Sequence, residues 1–167
     1  MKPVIPLAGL AAGVGLAVIA GVTQAAVGPA WVKGQIPAAV IPKLTRVAYD
    51  WAASEGDRSP ESVLAIRTTR AKALHIADRA DTIPNSSHTL VYLVVENGHF
   101  HPTGFLAVRL PGTRTPVPNL ELILSVASLT VLDMGVGRGS KYRPTVTLNM
   151  LEKVAPVSRL IAPASSS

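Results

Sequence analysis

The chain has 167 residues, of which 48% are hydrophobic, and 16 basic residues against 10 acidic ones give a net charge of +6. This length and apolar share predict one folded domain with an appended segment rather than a disordered chain. The absence of cysteine excludes disulfides, thiolate metal sites and a cysteine nucleophile. Since aromatic residues make up only 4%, the sequence offers few stacking platforms and does not favour nucleic-acid binding.

The first segment of the chain is an uncharged run from Pro3 to Val32, flanked by Lys2 and Lys33. It exceeds the roughly 20 residues that a helix needs to cross a bilayer, whereas a secretory signal needs an apolar region of only about 7–15 residues. Its glycines and prolines argue against a buried soluble helix. We therefore interpret residues 1–32 as a membrane anchor or a cleaved signal peptide.

Both interpretations predict the same organisation for the rest of the chain. Residues 33–161 are expected to form a single domain outside the cytosol, at the cell membrane or secreted, and residues 162–167 a disordered tail. The basic residues that follow the apolar run outnumber Lys2, so the sequence leaves the orientation of a retained anchor open.

The first half of the domain alternates helical and extended patterns. Apolar residues recur at three- and four-residue steps and predict a helix from about Pro42 to Ser54. Branched residues over Ser62 to Thr69 predict a strand, although Ser59-Pro60-Glu61 also resembles a helix start. A short helix is predicted over Arg70 to Asp78.

The second half contains the clearest strand patterns. A strand over Thr89 to Glu96 is followed by Asn97-Gly98, a favoured two-residue turn, so residues 99–101 are predicted to return as a hairpin. Two apolar runs, Leu120 to Val126 and Leu129 to Met134, predict a second hairpin after a proline-rich loop. The expected fold is α+β, with an N-terminal apolar helix followed by a small domain of one or two helices packed on an antiparallel sheet.

The order of these segments also carries a resemblance. A helix, then V-Y-L-V-V-E-N-G-H-F, a proline-rich loop and L-E-L-I-L-S-V-A-S-L-T-V-L-D resemble small exported proteins of actinobacteria that have no assigned activity. The same region, roughly residues 38–135, is more distantly similar to PepSY or cystatin-like domains. The resemblance implies a binding or regulatory module of the cell envelope, and it implies no catalytic residue.

A metal site is predicted at the first hairpin. A two-residue turn would pair Glu96 with His99 and Val94 with His101, which places Glu96, His99 and His101 on one face. A carboxylate and two imidazoles suit Zn²⁺ or Cu²⁺. The alternative is that these are ordinary polar residues at a solvent-facing hairpin tip.

A basic stretch near the C-terminus provides a second candidate site. Arg138, Lys141 and Arg143 belong to this stretch, with Tyr142 between the last two, and are predicted to contact anionic lipid or a wall polymer. The alternative is a solvated basic face. The glycine-rich residues 135–141 lack the spacing of a P-loop, and no nucleophile elbow is present. We predict no catalytic residue and no cofactor; a non-enzymatic binding module is the leading hypothesis and a small exported hydrolase the alternative.

Overall fold

The computed structural model describes residues 34–77, 88–101, 115–137 and 145–162, and these residues contain three helices and five strands. In chain order they are α1 (Ile41–Ser54), β1 (Ser62–Thr69), α2 (Arg70–Ile76), β2 (Leu90–Phe100), β3 (Val117–Ser125), β4 (Val131–Gly137), α3 (Leu148–Glu152) and β5 (Ser158–Arg159). The described region is therefore an α+β fold, as the sequence predicted.

The five strands form one sheet in the order β4-β3-β2-β1-β5, and every neighbouring pair is antiparallel. The most apolar strands, β2 and β3, lie at the centre and are buried along most of their length. Continuous burial of this kind is typical of strands that are covered on both faces. The short strands β4 and β5 form the two edges.

Helix α1 covers one face of the sheet. Because its apolar residues recur at three- and four-residue steps, they form a single stripe that packs against the alternate side chains of the strands. This core includes Leu44, Ala48, Ala52, Val63, Tyr92, Val94 and Leu122, each at most 2% exposed. The predicted helix is confirmed, with Pro42 in its first turn.

The opposite face is covered by α2 and α3. Leu74 from α2 and Leu151 from α3 are packed with the other set of alternating strand residues, among them Ile66, Leu93 and Ile123. The sequence predicted a helix on one face of the antiparallel sheet. In the structure, helices cover both faces. Neither α3 nor β5 was predicted, because five and two residues are too few to show a period.

The predicted hairpin turn at Asn97-Gly98 is wrong, because β2 continues through both residues to Phe100. Asn97 pairs with Ser62 on one side and Asn119 on the other, so it is a central strand residue. A β-bulge follows Asn97. Between the pairs Asn97–Asn119 and Phe100–Val117, β2 contains two residues and β3 contains only one, Pro118. A proline is tolerated there because the regular ladder of hydrogen bonds is interrupted.

The second predicted hairpin is confirmed as β3 and β4, joined by a turn at residues 126–130. Strand β3 begins at Val117, so Pro118 belongs to the strand and not to the preceding loop as predicted. In the ranges that the structure describes, no helix is long and apolar enough to cross a bilayer. The apolar run up to Val32 and the tail from residue 163 lie outside the described residues.

Candidate functional site

An acidic corner, formed by the half-buried Asp57 and the buried Glu96, lies where the loop after α1 meets the end of β2. Asp57 in that loop accepts a hydrogen bond from the backbone N–H of His99, with N and Oδ2 2.7 Å apart, and another from Ser59 N at 2.9 Å. A Cβ atom on Gly98 would overlap Oδ2 of Asp57. The glycine therefore lets the carboxylate approach the strand closely enough to hold the bulge.

Glu96 is the most unusual ionisable group of this corner. Alternation along β2 places its side chain on the α1 side of the sheet, with Tyr92 and Val94. It is 0% exposed, and neither of its carboxylate oxygens has a hydrogen-bond partner. Burial, and to a smaller extent the negative charge of Asp57, raises the pKa of Glu96 well above its usual range. The fold therefore favours the neutral carboxylic acid.

An amide ladder crosses the sheet beside this corner. Asn97 Nδ2 donates to Ser62 Oγ at 2.9 Å, and Asn119 Nδ2 donates to Asn97 Oδ1 at 3.0 Å. Gly137 is the next residue across, and a Cβ atom there would lie 2.8 Å from Asn119 Oδ1. The ladder thus joins β1, β2 and β3, and it requires a glycine on β4.

The structure separates the three residues of the predicted metal site. Glu96 is buried, whereas His99 and His101 are exposed. His99 Nε2 lies 3.4 Å from Glu61 Oε1 in an exposed pair. Among the described residues no group of three His, Cys, Asp or Glu side chains is arranged to hold a metal ion. The hairpin that was the reason for this prediction does not form.

An open groove lies at the β5 edge of the sheet, on the side of α1. One depression of about 340 Å³ is lined by residues that include Tyr49, Glu61, Arg159 and Ile161. A second, of about 300 Å³, adjoins it at the start of α1 and shares Arg159 and Ile161. Ile161 is 82% exposed, more than any other large hydrophobic residue in the described part of the chain.

Two contacts fix the outward position of Ile161. The N–H of Leu160 donates to the carbonyl of Val63 at 2.9 Å, and the Tyr49 hydroxyl donates to the carbonyl of Leu160 at 3.5 Å. Leu160 is 3% exposed and belongs to the core beneath α1. Since successive side chains of an extended chain point to opposite sides, burying Leu160 turns Arg159 and Ile161 outward.

The second predicted site, Arg138, Lys141 and Arg143, lies outside the described residues. Gly135–Gly137, which precede it, belong to β4 rather than to a loop. Sequence reasoning missed the burial of Glu96 and the exposure of Ile161. A carboxylate inside the apolar run of β2 was an available signal for the first. No pattern in the sequence indicates the exposure of Ile161, because this exposure depends on the two-residue strand β5.

No protein-family model, curated protein or solved structure matches the chain. Glu96 of the acidic corner is buried, and Asp57 is joined to the sheet by a hydrogen bond from His99, whereas the groove at β5 is open to solvent. Of the two, the groove is the surface that a partner can reach.

Proposed function

We propose that the chain is an exported or membrane-anchored envelope protein whose α+β domain is a non-enzymatic binding or regulatory module. The uncharged run from Pro3 to Val32 supports the membrane or export assignment, because its length meets the requirement for crossing a bilayer. The domain contains no cysteine and is held by packing on both faces of its sheet, so its stability does not depend on the redox state of its compartment.

The single observation that carries the binding assignment is the groove around Ile161. Ile161 is 82% exposed and lines the same depressions as Arg159. Removing such a side chain from water on contact with a partner is favourable, by about 25 cal/mol per Å² of apolar surface. A basic group next to exposed apolar surface suits a partner that offers both negative charge and a hydrophobic region.

The acidic corner bears on the alternative, a small exported hydrolase. A carboxylic acid with a raised pKa next to a second carboxylate, as in Glu96 and Asp57, is the arrangement that a general acid requires. A general acid must also contact its substrate. Glu96 is 0% exposed and lines neither depression of the groove. The burial of Glu96 therefore favours the binding module over the hydrolase.

Cell fractionation of the full chain tests the proposal. We expect the chain to sediment with membranes, or to be secreted, and a variant lacking residues 1–32 to remain in the cytosol. A reporter fused to the C-terminus that is active only outside the cytosol should be active with the full chain and inactive with the deletion. Cytosolic protein with and without residues 1–32 would contradict the proposal.

A further inference from the structure

The surface around the groove is enriched in unpaired cations. Lys43 and Arg46 lie three residues apart on the outward side of α1, so they are neighbours on the helix surface. Pro42 lies on the same side and lines the depression that contains Arg159 and Ile161. We name Pro42, Lys43, Arg46, Arg159 and Ile161 the basal patch.

Two acidic residues lie near the basal patch: Asp50 follows Arg46 by one helical turn on the exposed side of α1, and Glu61 lines the adjoining depression that also contains Arg159 and Ile161. No ion pair involves Lys43, Arg46 or Arg159 among the described residues. Glu61 lies 3.4 Å from His99, and in the part of the chain that the structure describes neither Glu61 nor Asp50 forms an ion pair with a cation of the patch. The patch therefore presents three cations and one exposed aliphatic side chain, a combination that complements anionic headgroups above an apolar layer.

The described chain begins at Gly34, which lies on the β5 edge of the sheet but beside Arg67, near the opposite end of β1 from Ile161. Gly34 is packed against Ala155 and Pro156, just ahead of β5, and a Cβ atom on it would lie 3.2 Å from Pro156 Cδ. Its φ of +94° is a conformation that favours glycine. Ile36, two residues later, is 3% exposed and fixed in the core under α1.

The covalent distance to the apolar run is correspondingly short. Val32, the last residue of the run, is two residues from Gly34, and two residues of extended chain span at most about 7 Å. A retained anchor thus leaves no long linker between the bilayer and the β5 edge. In the membrane-anchored form, the chain therefore reaches the domain at the β5 edge, and the basal patch lies along the same edge.

We propose that the basal patch docks on the anionic phospholipid surface of the membrane in which the N-terminal run is anchored. Lys43, Arg46 and Arg159 contact headgroup phosphates, and Ile161 inserts among the headgroups. The inference rests on the proposed function, in its membrane-anchored form. It fixes the orientation of the domain, with β5 toward the bilayer and β4 away from it.

Site-specific labelling of the full chain tests the docking. Because the chain has no cysteine, a single introduced cysteine carries the only label. An environment-sensitive fluorophore at Ala162→Cys reports beside Ile161 and leaves the basal patch intact. Ala127→Cys, in the exposed turn between β3 and β4, is the matched control. Each chain is reconstituted into phosphatidylcholine vesicles with or without phosphatidylglycerol, and vesicle flotation records binding of the chain separately.

Docking predicts that the Ala162 label shifts to the blue and is quenched by a lipid-attached quencher only in the anionic vesicles, while the Ala127 label remains in water. High salt should reverse the shift, because the Debye length falls below about 8 Å. Neutralising the cations in K43Q/R46Q/R159Q should lower the ratio of docked to undocked domain roughly 100-fold. The variant R58Q removes an exposed cation from the loop after α1 and should behave as wild type.

The outcomes that overturn the docking are distinct. A chain that floats with the vesicles while its Ala162 label stays in water refutes the docking and leaves the anchoring intact. A shift that depends on protein density and ignores lipid charge indicates self-association and also refutes it. A chain that fails to float overturns the anchoring and the docking together.

Discussion

Nδ2 of Asn119 lies 3.0 Å from Oδ1 of Asn97 and 3.4 Å from the carbonyl oxygen of Glu96, so one amide links β3 to β2 twice. Asn119 is 0% exposed. Water cannot replace the lost bonds if the amide is removed, and the two acceptors are left without this donor.

Replacement of Asn119 should therefore destabilise the domain. We expect Asn119→Ala to lower the free energy of unfolding by about 1–3 kcal/mol, measured by urea denaturation. Asn119→Asp should lower the free energy of unfolding further at neutral pH, because it places a carboxylate oxygen opposite Asn97 Oδ1 and buries a negative charge. Asn149→Ala, at an exposed position of α3, is the control and should change stability by less than about 0.5 kcal/mol. Equal stability of Asn119→Ala and the control would contradict the role of the ladder.

The Asp57 carboxylate is expected to hold the bulge of β2. Asp57→Ala leaves the N–H groups of His99 and Ser59 without this acceptor, and we expect a loss of about 1 kcal/mol. Amide hydrogen exchange at His99 should accelerate at the same time, because its N–H is released. Asp50→Ala, on the exposed side of α1, serves as the control. Unchanged protection of His99 in Asp57→Ala would show that the bond does not hold the strand.

Gly98 should be required for the same contact. A methyl group at this position overlaps Asp57 Oδ2, so Gly98→Ala is expected to cost about 1–3 kcal/mol through overpacking. In the Asp57→Ala background the oxygen is absent, and the cost of Gly98→Ala should be smaller. A double-mutant cycle of urea denaturation measures this coupling. If the costs of Asp57→Ala and Gly98→Ala are additive, the added methyl group clashes with an atom other than Asp57 Oδ2. The Cα atom of Pro60, 3.3 Å from the methyl position, is then the candidate.

Glu96 should make stability depend on pH. Its pKa is raised in the folded state, so above about 4.5 the unfolded chain releases a proton that the folded chain retains. The free energy of unfolding should fall as the pH rises through this window, with a slope of up to about 1.4 kcal/mol per pH unit, and level off above the folded-state pKa. Below both pKa values the group contributes no slope.

Glu96→Gln is the test, because its amide does not titrate. The stability of wild type relative to this variant should decrease as the pH rises from 4.5 toward neutrality, in urea titrations at a series of pH values. Asp57→Asn removes the nearby charge and should move the end of the window to lower pH. A pH-independent difference between wild type and Glu96→Gln would mean that Glu96 titrates normally.

The sequence by itself determined the elements whose pattern is long enough to read. Helix α1 follows from a helical period, and strands β1, β3, β4 and the first part of β2 follow from runs of branched or apolar residues. The α+β class follows from their order along the chain. Local chemistry also predicted Pro42 in the first helical turn, since a proline there loses no hydrogen bond.

Only the tertiary structure decided what Asn97-Gly98 does. The dipeptide favours a turn locally, but Asn97 binds Ser62 and Asn119, and Gly98 makes room for Asp57, so contacts with residues distant in sequence keep the strand extended. That outcome buries Glu96 instead of placing it at a hairpin tip. The groove at Ile161 likewise depends on a two-residue strand, held by its pairing with β1 and by the burial of Leu160. Neither has a local period, because the interactions that fix them join positions far apart in the chain.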